Sequence, residues 1–299
     1  MAILVVGSIA LDSVETPAGK ADEALGGSAL YFSAAASFFS PVNVVGVVGE
    51  DFDYSHLDFL SRRNVDLSGL KTQSGQTFRW GGKYHTNMNQ RDTLYTYLNV
   101  FETFRPEIPA NYKGSQFVFL ANIDPDLQLQ VLESVSSPAL TILDTMNFWI
   151  SGKRESLQEV IRRVDVMILN DEELQELTGI HSILKAAREL LKQGPRVLVI
   201  KKGEHGAVMI SQTDFFFAPA YPVEEVVDPT GAGDSFAGGF VGYLASCPRL
   251  TDPEYRRAVI YGSTVASFNV ESFSLDRLKE ISREDIDSRV EKFREMTRF

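Results

Sequence analysis

Residues 164–201, VDVMILNDEELQELTGIHSILKAARELLKQGPRVLVIK, carry the pattern on which the fold turns. At either end lies a short aliphatic run, 164–169 and 196–201, without polar alternation. Such runs are expected of strands buried on both faces, as in a parallel sheet covered by helices. Between them the apolar spacing becomes helical over 172–177 and again over 183–193. Gly179 and Gly194 sit just past the helix ends, where a left-handed cap is wanted.

The same alternation extends outward. Apolar runs at 3–6, 42–48, 117–121 and 140–143 read as further strands, and helical patterns at 28–39, 54–63, 126–135 and 154–163 lie between them. Pro125 and Pro138 mark adjoining loops. The expectation is an α/β fold, a three-layer α/β/α sandwich with a mostly parallel central sheet and right-handed crossovers. Past residue 196, the segments 197–210, 214–220 and 223–234 suggest strands joined by tight turns. Helices are expected at 234–245, from Thr251 or Asp252 to about 269 with Pro253 in the first turn, and at 284–296. No repeat and no long linker is visible, so residues 1–299 are expected to form one domain.

Two stretches interrupt the alternation. TFRWGGKY (77–84) and TLYTYLNV (93–100) flank the turn-like HTNMNQRD (85–92) and predict a β-hairpin standing off the main sheet, with 12–16 adding a strand. A β-flap built from about 10–26 and 76–102 would make a lid that excludes water, although an ordinary surface hairpin would look the same. Phe78, Trp80 and Gly82 share one face of it. That face would suit stacking on a nucleobase, or equally a flap-to-flap contact in a homodimer.

Composition excludes several classes. Of the 299 residues, 29 are Lys or Arg and 40 are Asp or Glu, a net charge of −11. A polynucleotide partner would need a basic footprint. No apolar run reaches the roughly 20 residues that span a bilayer. Residues 2–11 are apolar but lack the basic and small-residue flanks of a signal peptide, and read as a buried first strand. The lone Cys247 allows no internal disulfide. A cytoplasmic protein with a small-molecule substrate, and no membrane or nucleic-acid partner, is the expectation.

Residues 228–240, DPTGAGDSFAGGF, carry the chemistry. Small residues at 231–233 permit a tight turn that bares N–H groups, and the following helix aims its positive end at the same place, which suits phosphate. Asp234 is unexpected there, since a carboxylate repels an anion. It belongs there if it takes the proton of a hydroxyl attacking a phosphoryl group. A plain strand-to-helix turn with Asp234 as cap is the bland alternative. No Lys follows the glycines, which rules out a Walker A loop, and Phe236 stands where a dinucleotide fingerprint needs a third glycine.

The whole string resembles the C-terminal signature of the ribokinase-like (PfkB) family of sugar and nucleoside kinases. The resemblance spans the chain. Gly26 and Gly27 followed by GVVGED (46–51) lie where that family has its N-terminal signature. NDEE (170–173) matches its NxxE motif, and KGEHG (202–206) looks like its nucleotide-contacting turn.

The resemblance implies Asp234 as catalytic base, with the N–H groups of Gly231, Ala232 and Gly233 stabilising the transferring phosphoryl oxygens. It implies Mg²⁺ near Asn170 and Glu173, through water. ATP would lie along Lys202, Gly203 and Gly206, its adenine beside Gly262, Ser263 and Ser267. Asp12, Gly26 and Gly27, with Asn122 and Asp144, would hold the acceptor. Asp12 as a cap and the two glycines as a helix-start turn remain the simpler alternatives. Asp228 and Thr230 correspond to the family's monovalent-cation site, but the usual Gly-Ala partner loop reads VESFS (270–274), which argues against K⁺ dependence.

Tyr31 replaces an Asn that touches the acceptor in the family, removing a simple-sugar contact and favouring a larger or more aromatic acceptor. Asp144 and Asn147 fit a DxxN feature, without the arginine often found nearby. Arg91 and His85 sit at the hairpin tip, where exposed charges are common, and His181 and His205 have no metal-ligand spacing around them. The expected activity is transfer of the γ-phosphoryl of ATP to a hydroxyl of a small polyol, a nucleoside before a free sugar. The alternatives are a sugar or sugar-phosphate kinase, and a catalytically idle binder on the same fold.

Overall fold

The computed structural model describes residues 1–298. Thirteen strands, β1 to β13 in chain order, divide between two sheets. In the larger, β1 (Ile3–Val6), β4 (Val42–Gly49), β5 (Val65–Gln73), β8 (Phe117–Leu120), β9 (Leu140–Asp144), β10 (Val166–Asn170) and β11 (Val197–Lys201) run parallel. β12 (Ala207–Ser211) and β13 (Phe215–Ala218) close one edge as antiparallel strands. The order is β13-β12-β11-β10-β9-β8-β1-β4-β5. From β1 the chain builds first toward β5 and then away through β8 to β11, so the strand order reverses beside β1. In open α/β sheets, ligands bind past the carboxyl ends of strands at such a reversal.

Helices cover both faces. Against one lie α1 (Ser28–Ala36), α2 (Asp58–Ser61), α8 (Ala232–Ser246), α9 (Asp252–Asn269), α10 (Asp276–Glu280) and α11 (Arg283–Met296). Against the other lie α3 (Pro125–Ser134), α4 (Asn147–Gly152), α5 (Arg154–Arg163), α6 (Asp171–Thr178) and α7 (Ile183–Leu191). The strand period explains the division. In β1, Ile3 and Val5 enter one core while Leu4 and Val6 enter the other. The expected three-layer sandwich is therefore the observed one.

The first core is tight enough to exclude side chains at one crossing. On α8, a Cβ at Gly238 would lie 2.4 Å from the Phe32 carbonyl oxygen of α1, and one at Gly242 2.9 Å from Ala36 Cα. Beneath them Phe32 and Phe119 stack with ring centroids 4.1 Å apart, both fully buried. Phe119→Ala is expected to lower stability by about 3–5 kcal/mol, because the stacked neighbour holds the void open. Urea unfolding of the variant measures this.

The second sheet, β3-β2-β6-β7, is the flap: β2 (Ala10–Thr16), β3 (Gly19–Gly26), β6 (Phe78–Tyr84) and β7 (Arg91–Tyr97). Its base is pinned by the first signature. Asp51 Oδ1 accepts from the N–H (2.8 Å) and hydroxyl (2.7 Å) of Thr77, and Asp51 pairs with Arg79 at 2.8 Å.

Several expectations need correction. Residues 223–231 form no strand. They run across the end of α9, where Val227 and Asp228 both donate to the Val270 carbonyl, and the Val227 carbonyl accepts from the Thr16 hydroxyl at 2.8 Å rather than from a neighbouring strand's backbone. The 93–100 strand is instead β7, shifted two residues earlier to pair Arg91 with Tyr84, and residues 99–103 turn into a 3₁₀ helix. The 54–63 helix breaks into a 3₁₀ turn and the short α2. Gly179 takes the left-handed cap conformation (φ 71°), but Gly194 does not. It is small because the Ile161 carbonyl lies 2.2 Å from where its Cβ would be. Among the described residues no helix is long and apolar enough to cross a membrane.

Candidate active site

The first turn of α8 begins at Gly231, whose φ of 73° favours glycine and whose missing Cβ would strike the ring of Tyr31 at 2.3 Å. Asp228 Oδ1 accepts the Thr230 N–H at 2.8 Å and sets the turn. The Ala232 N–H donates to the Pro229 carbonyl at 3.2 Å, so of the three donors expected here it is already engaged. The N–H groups of Gly231 and Gly233 make no hydrogen bond within the described residues. Two open donors at the start of a 15-residue helix are suited to an anion.

Asp234 stands in that first turn, partly open to the cleft. Burial, and then the charge of Asp144, push its carboxyl up to about 7, against the pull of Lys201 and Arg91. Lys201, the last residue of β11, lies with its Nζ 3.0 Å from the point where a Gly233 Cβ would be. It faces Asp144 Oδ1 at 3.6 Å. Desolvation pulls its ammonium down, but Asp144, Glu173 and Asp234 outweigh that and the net shift is upward. Asp144 is buried, and its Oδ1 has no hydrogen-bond partner. A buried, under-partnered carboxylate beside a partly buried ammonium is an arrangement found at reactive centres. Lys201 carries no motif signal of its own. Only the topology brings the end of β11 beside the start of α8.

On the other side of the cleft is Asp12, in β2 and 6% exposed. Gly26 presses on it so closely that a Cβ would overlap the carboxylate. Burial, then the charge of Asp228, raise its carboxyl to about 7, while the Gly27 N–H opposes. Gly27 starts α1, and Tyr31, 2% exposed, follows one turn later with its ring on Gly231. Asn122 lies at the end of β8 with its Oδ1 taken by Trp149 Nε1 at 3.0 Å.

The flap reaches over both sides. Thr230 Oγ1 donates to Tyr84 Oη at 3.2 Å, which ties β6 to the anion turn. Beside Tyr84 stands Arg91, its guanidinium 5.5 Å over the ring of Trp80 and among the charges acting on Asp12, Asp234 and Glu173. At the tip, Asn89 Oδ1 is 2.7 Å from the position of a Gly203 Cβ. Arg91 and Asn89 thus belong to the site's surroundings although their sequence position reads as an exposed loop.

The remaining expected residues are spread more widely. Asn170 and Glu173 form a reciprocal cap on α6: Asn170 Oδ1 accepts the Glu173 N–H at 2.7 Å and Glu173 Oε2 the Asn170 N–H at 2.8 Å. Burial raises the Glu173 carboxyl to about 7, with Lys201 opposing. Lys202 donates its N–H to the Gly206 carbonyl at 2.8 Å around the Gly203 turn, and its ammonium is 3.9 Å from Asp171. Gly262 packs into the α8–α9 crossing, 2.8 Å from the Phe236 carbonyl measured at a hypothetical Cβ, and Ser263 beside it is nearly buried. Ser267 donates to Thr264 O and accepts from Arg289. Gly262 is small because α8 passes close by.

A three-layer sandwich with its glycine turn past the carboxyl ends of the strands, a carboxylate at that turn and a four-stranded flap above is the build of a small-molecule kinase. The pfkB family carbohydrate kinase model matches residues 4–280, and the chain belongs to that family. It is 30% identical over 259 residues to the cytidine kinase of Thermococcus kodakarensis, covering 83% of this chain and 92% of that one. It is 24% identical to the ribokinase of Staphylococcus aureus, covering 83% and 81%. In three dimensions it superimposes on the nucleoside kinase of Methanocaldococcus jannaschii with a TM-score of 0.79, over 97% of this chain and 98% of that one, at 20% identity.

Proposed function

We propose that this kinase transfers the γ-phosphoryl group of ATP to a hydroxyl of a nucleoside, in preference to a free sugar. The observation that carries the reading is Asp234 in the first turn of α8 beside the unused N–H groups of Gly231 and Gly233. A base and an anion hole within one helical turn serve an alcohol attacking phosphorus. In this reading Asp12 accepts a hydrogen bond from a second acceptor hydroxyl, and Asp234 takes the proton of the attacking one. Lys201 and Arg91 hold the charge that gathers on the phosphoryl oxygens.

The nucleoside preference rests on Tyr31, on the aromatic residues of the flap and on a relative named for cytidine. Trp80, half-buried on the flap, offers a flat surface suited to a base. Arg91 favours one alternative, a sugar-phosphate acceptor, since a guanidinium pairs well with a phosphate. Contact between flaps of two copies would use the exposed Leu94 and Tyr97.

For Mg²⁺ the donor set fits a loosely held, hydrated ion. No group of three metal-ligating side chains exists among the described residues, and the capping bond uses only one oxygen of Glu173. Glu173 Oε1, with Asn170 beside it, would meet the ion's water shell, while the nucleotide supplies the other ligands. When bound, the ion neutralises phosphate charge.

A coupled ADP-release assay tests the acceptor. Turnover of cytidine, adenosine or inosine with kcat/KM above that of ribose and fructose is expected. The reverse order would overturn the nucleoside reading. The pH dependence follows from the carboxylates. Asp234 and Asp12 are both raised to about 7; the first must be ionised to take a proton and the second to accept its hydrogen bond, so kcat/KM should climb with pH and level off above that value. A rate profile over roughly pH 5 to 9 measures the acid limb. A limb near pH 4, the ordinary carboxylate range, would contradict the assignment.

A further inference from the structure

The family likeness implies a monovalent-cation site at Asp228 and Thr230, and the donor set there does not fit a cation. Asn269, the last residue of α9, is fully buried, and its Nδ2 donates to the Thr230 carbonyl at 2.9 Å. Its Oδ1 accepts from the Ser235 hydroxyl at 3.1 Å. The orientation is fixed by chemistry, because a carbonyl oxygen can only accept and a flipped amide would set oxygen against oxygen. The carboxylate of Asp228 is likewise engaged, Oδ1 by the Thr230 N–H at 2.8 Å and Oδ2 by the Ser274 N–H at 3.2 Å. The Val270 carbonyl takes the N–H groups of Val227 and Asp228. Oxygens that could surround an ion are met by N–H donors instead.

We propose that Asn269 replaces the monovalent cation in this chain. Its amide clasps Thr230 on one side of the Gly231–Gly233 turn and Ser235 on the other, and so holds the two open N–H groups at a fixed separation. Ser274 completes the brace by donating its hydroxyl to the Leu25 carbonyl at 2.6 Å, next to the glycines that support Asp12. Asn269 is a positioning residue. It touches no reacting atom and acts through the backbone of the turn.

The experiment compares potassium chloride with choline chloride at equal ionic strength, reading both kcat and melting temperature. Wild type is expected to show the same values in both salts. Asn269→Ala is expected to lose on the order of tenfold in kcat in choline and to recover most of it in potassium. Asn269→Asp, which sets a carboxylate against the Thr230 carbonyl, is expected to melt higher in potassium than in choline. The melting arms read independently of any acceptor, so a failure of the nucleoside reading leaves them standing. Loss of wild-type kcat or a lower wild-type melting temperature in choline overturns the proposal. So does an Asn269→Ala variant that is equally active, or equally impaired, in both salts. The wild-type arm needs no variant to fold.

Discussion

Asp234→Asn is expected to lower kcat by about 100- to 10,000-fold while nucleotide still binds. The substitution keeps shape and removes only the ability to take a proton. It also removes a negative charge from beside the anion turn, and so spares the nucleotide a repulsion. ATP affinity, measured by calorimetry with a non-hydrolysable analogue, should therefore hold or improve as turnover collapses. Such a split assigns the residue to the chemical step rather than to binding. The competing view of Asp234 as an N-terminal helix residue predicts a different result: a small loss of stability and near-normal rate. Retained turnover in the Asn variant would remove the base from the account.

Lys201→Met is expected to reduce kcat by about 100- to 1,000-fold, the scale of losing one preorganised charge from a phosphoryl site. A second effect accompanies it. With the ammonium gone, Asp144 is left buried, its Oδ1 without a partner, and removing one member of a buried pair costs about 3–5 kcal/mol. The two effects separate in the double variant Lys201→Met/Asp144→Asn. Neutralising the stranded carboxylate should restore much of the melting temperature without restoring turnover. If the double variant regained activity, Lys201 would be a structural counter-ion to Asp144 and nothing more.

The layers and most strands were legible because a strand covered on both faces needs an unbroken aliphatic run, and runs such as 117–121 and 140–143 have no other soluble use. β5 was harder to see, since Val65–Gln73 mixes Asp, Ser, Gly and Lys at a sheet edge. The anion turn was legible because its backbone requirement is local: Gly231 must adopt a positive φ within three residues of Asp234. Lys201, Arg91 and Asn269 were not. A lysine ending a strand, an arginine at a hairpin tip and an asparagine ending a helix each have an ordinary surface use. Their positions beside the turn depend on contacts across 30 to 140 residues of chain. The stretch 223–231 misled for a related reason: valines pack against a helix end as readily as in a strand.

Both halves of the site begin at helix starts, Gly27 on α1 and Gly231 on α8, and those helices meet where Gly238 and Gly242 of α8 pack on the backbone of Phe32 and Ala36. In the proposed reading the α1 and α8 ends of acceptor floor and phosphate cradle are two ends of one stiff part, and the flap is tied to it through Tyr84 and Leu25. In the proposed reading, alignment of the reacting oxygen with phosphorus depends, several residues away, on how near two backbones can approach. A single methyl group at Gly238 is expected to push α1 and α8 apart and so to move Gly27 against Gly231.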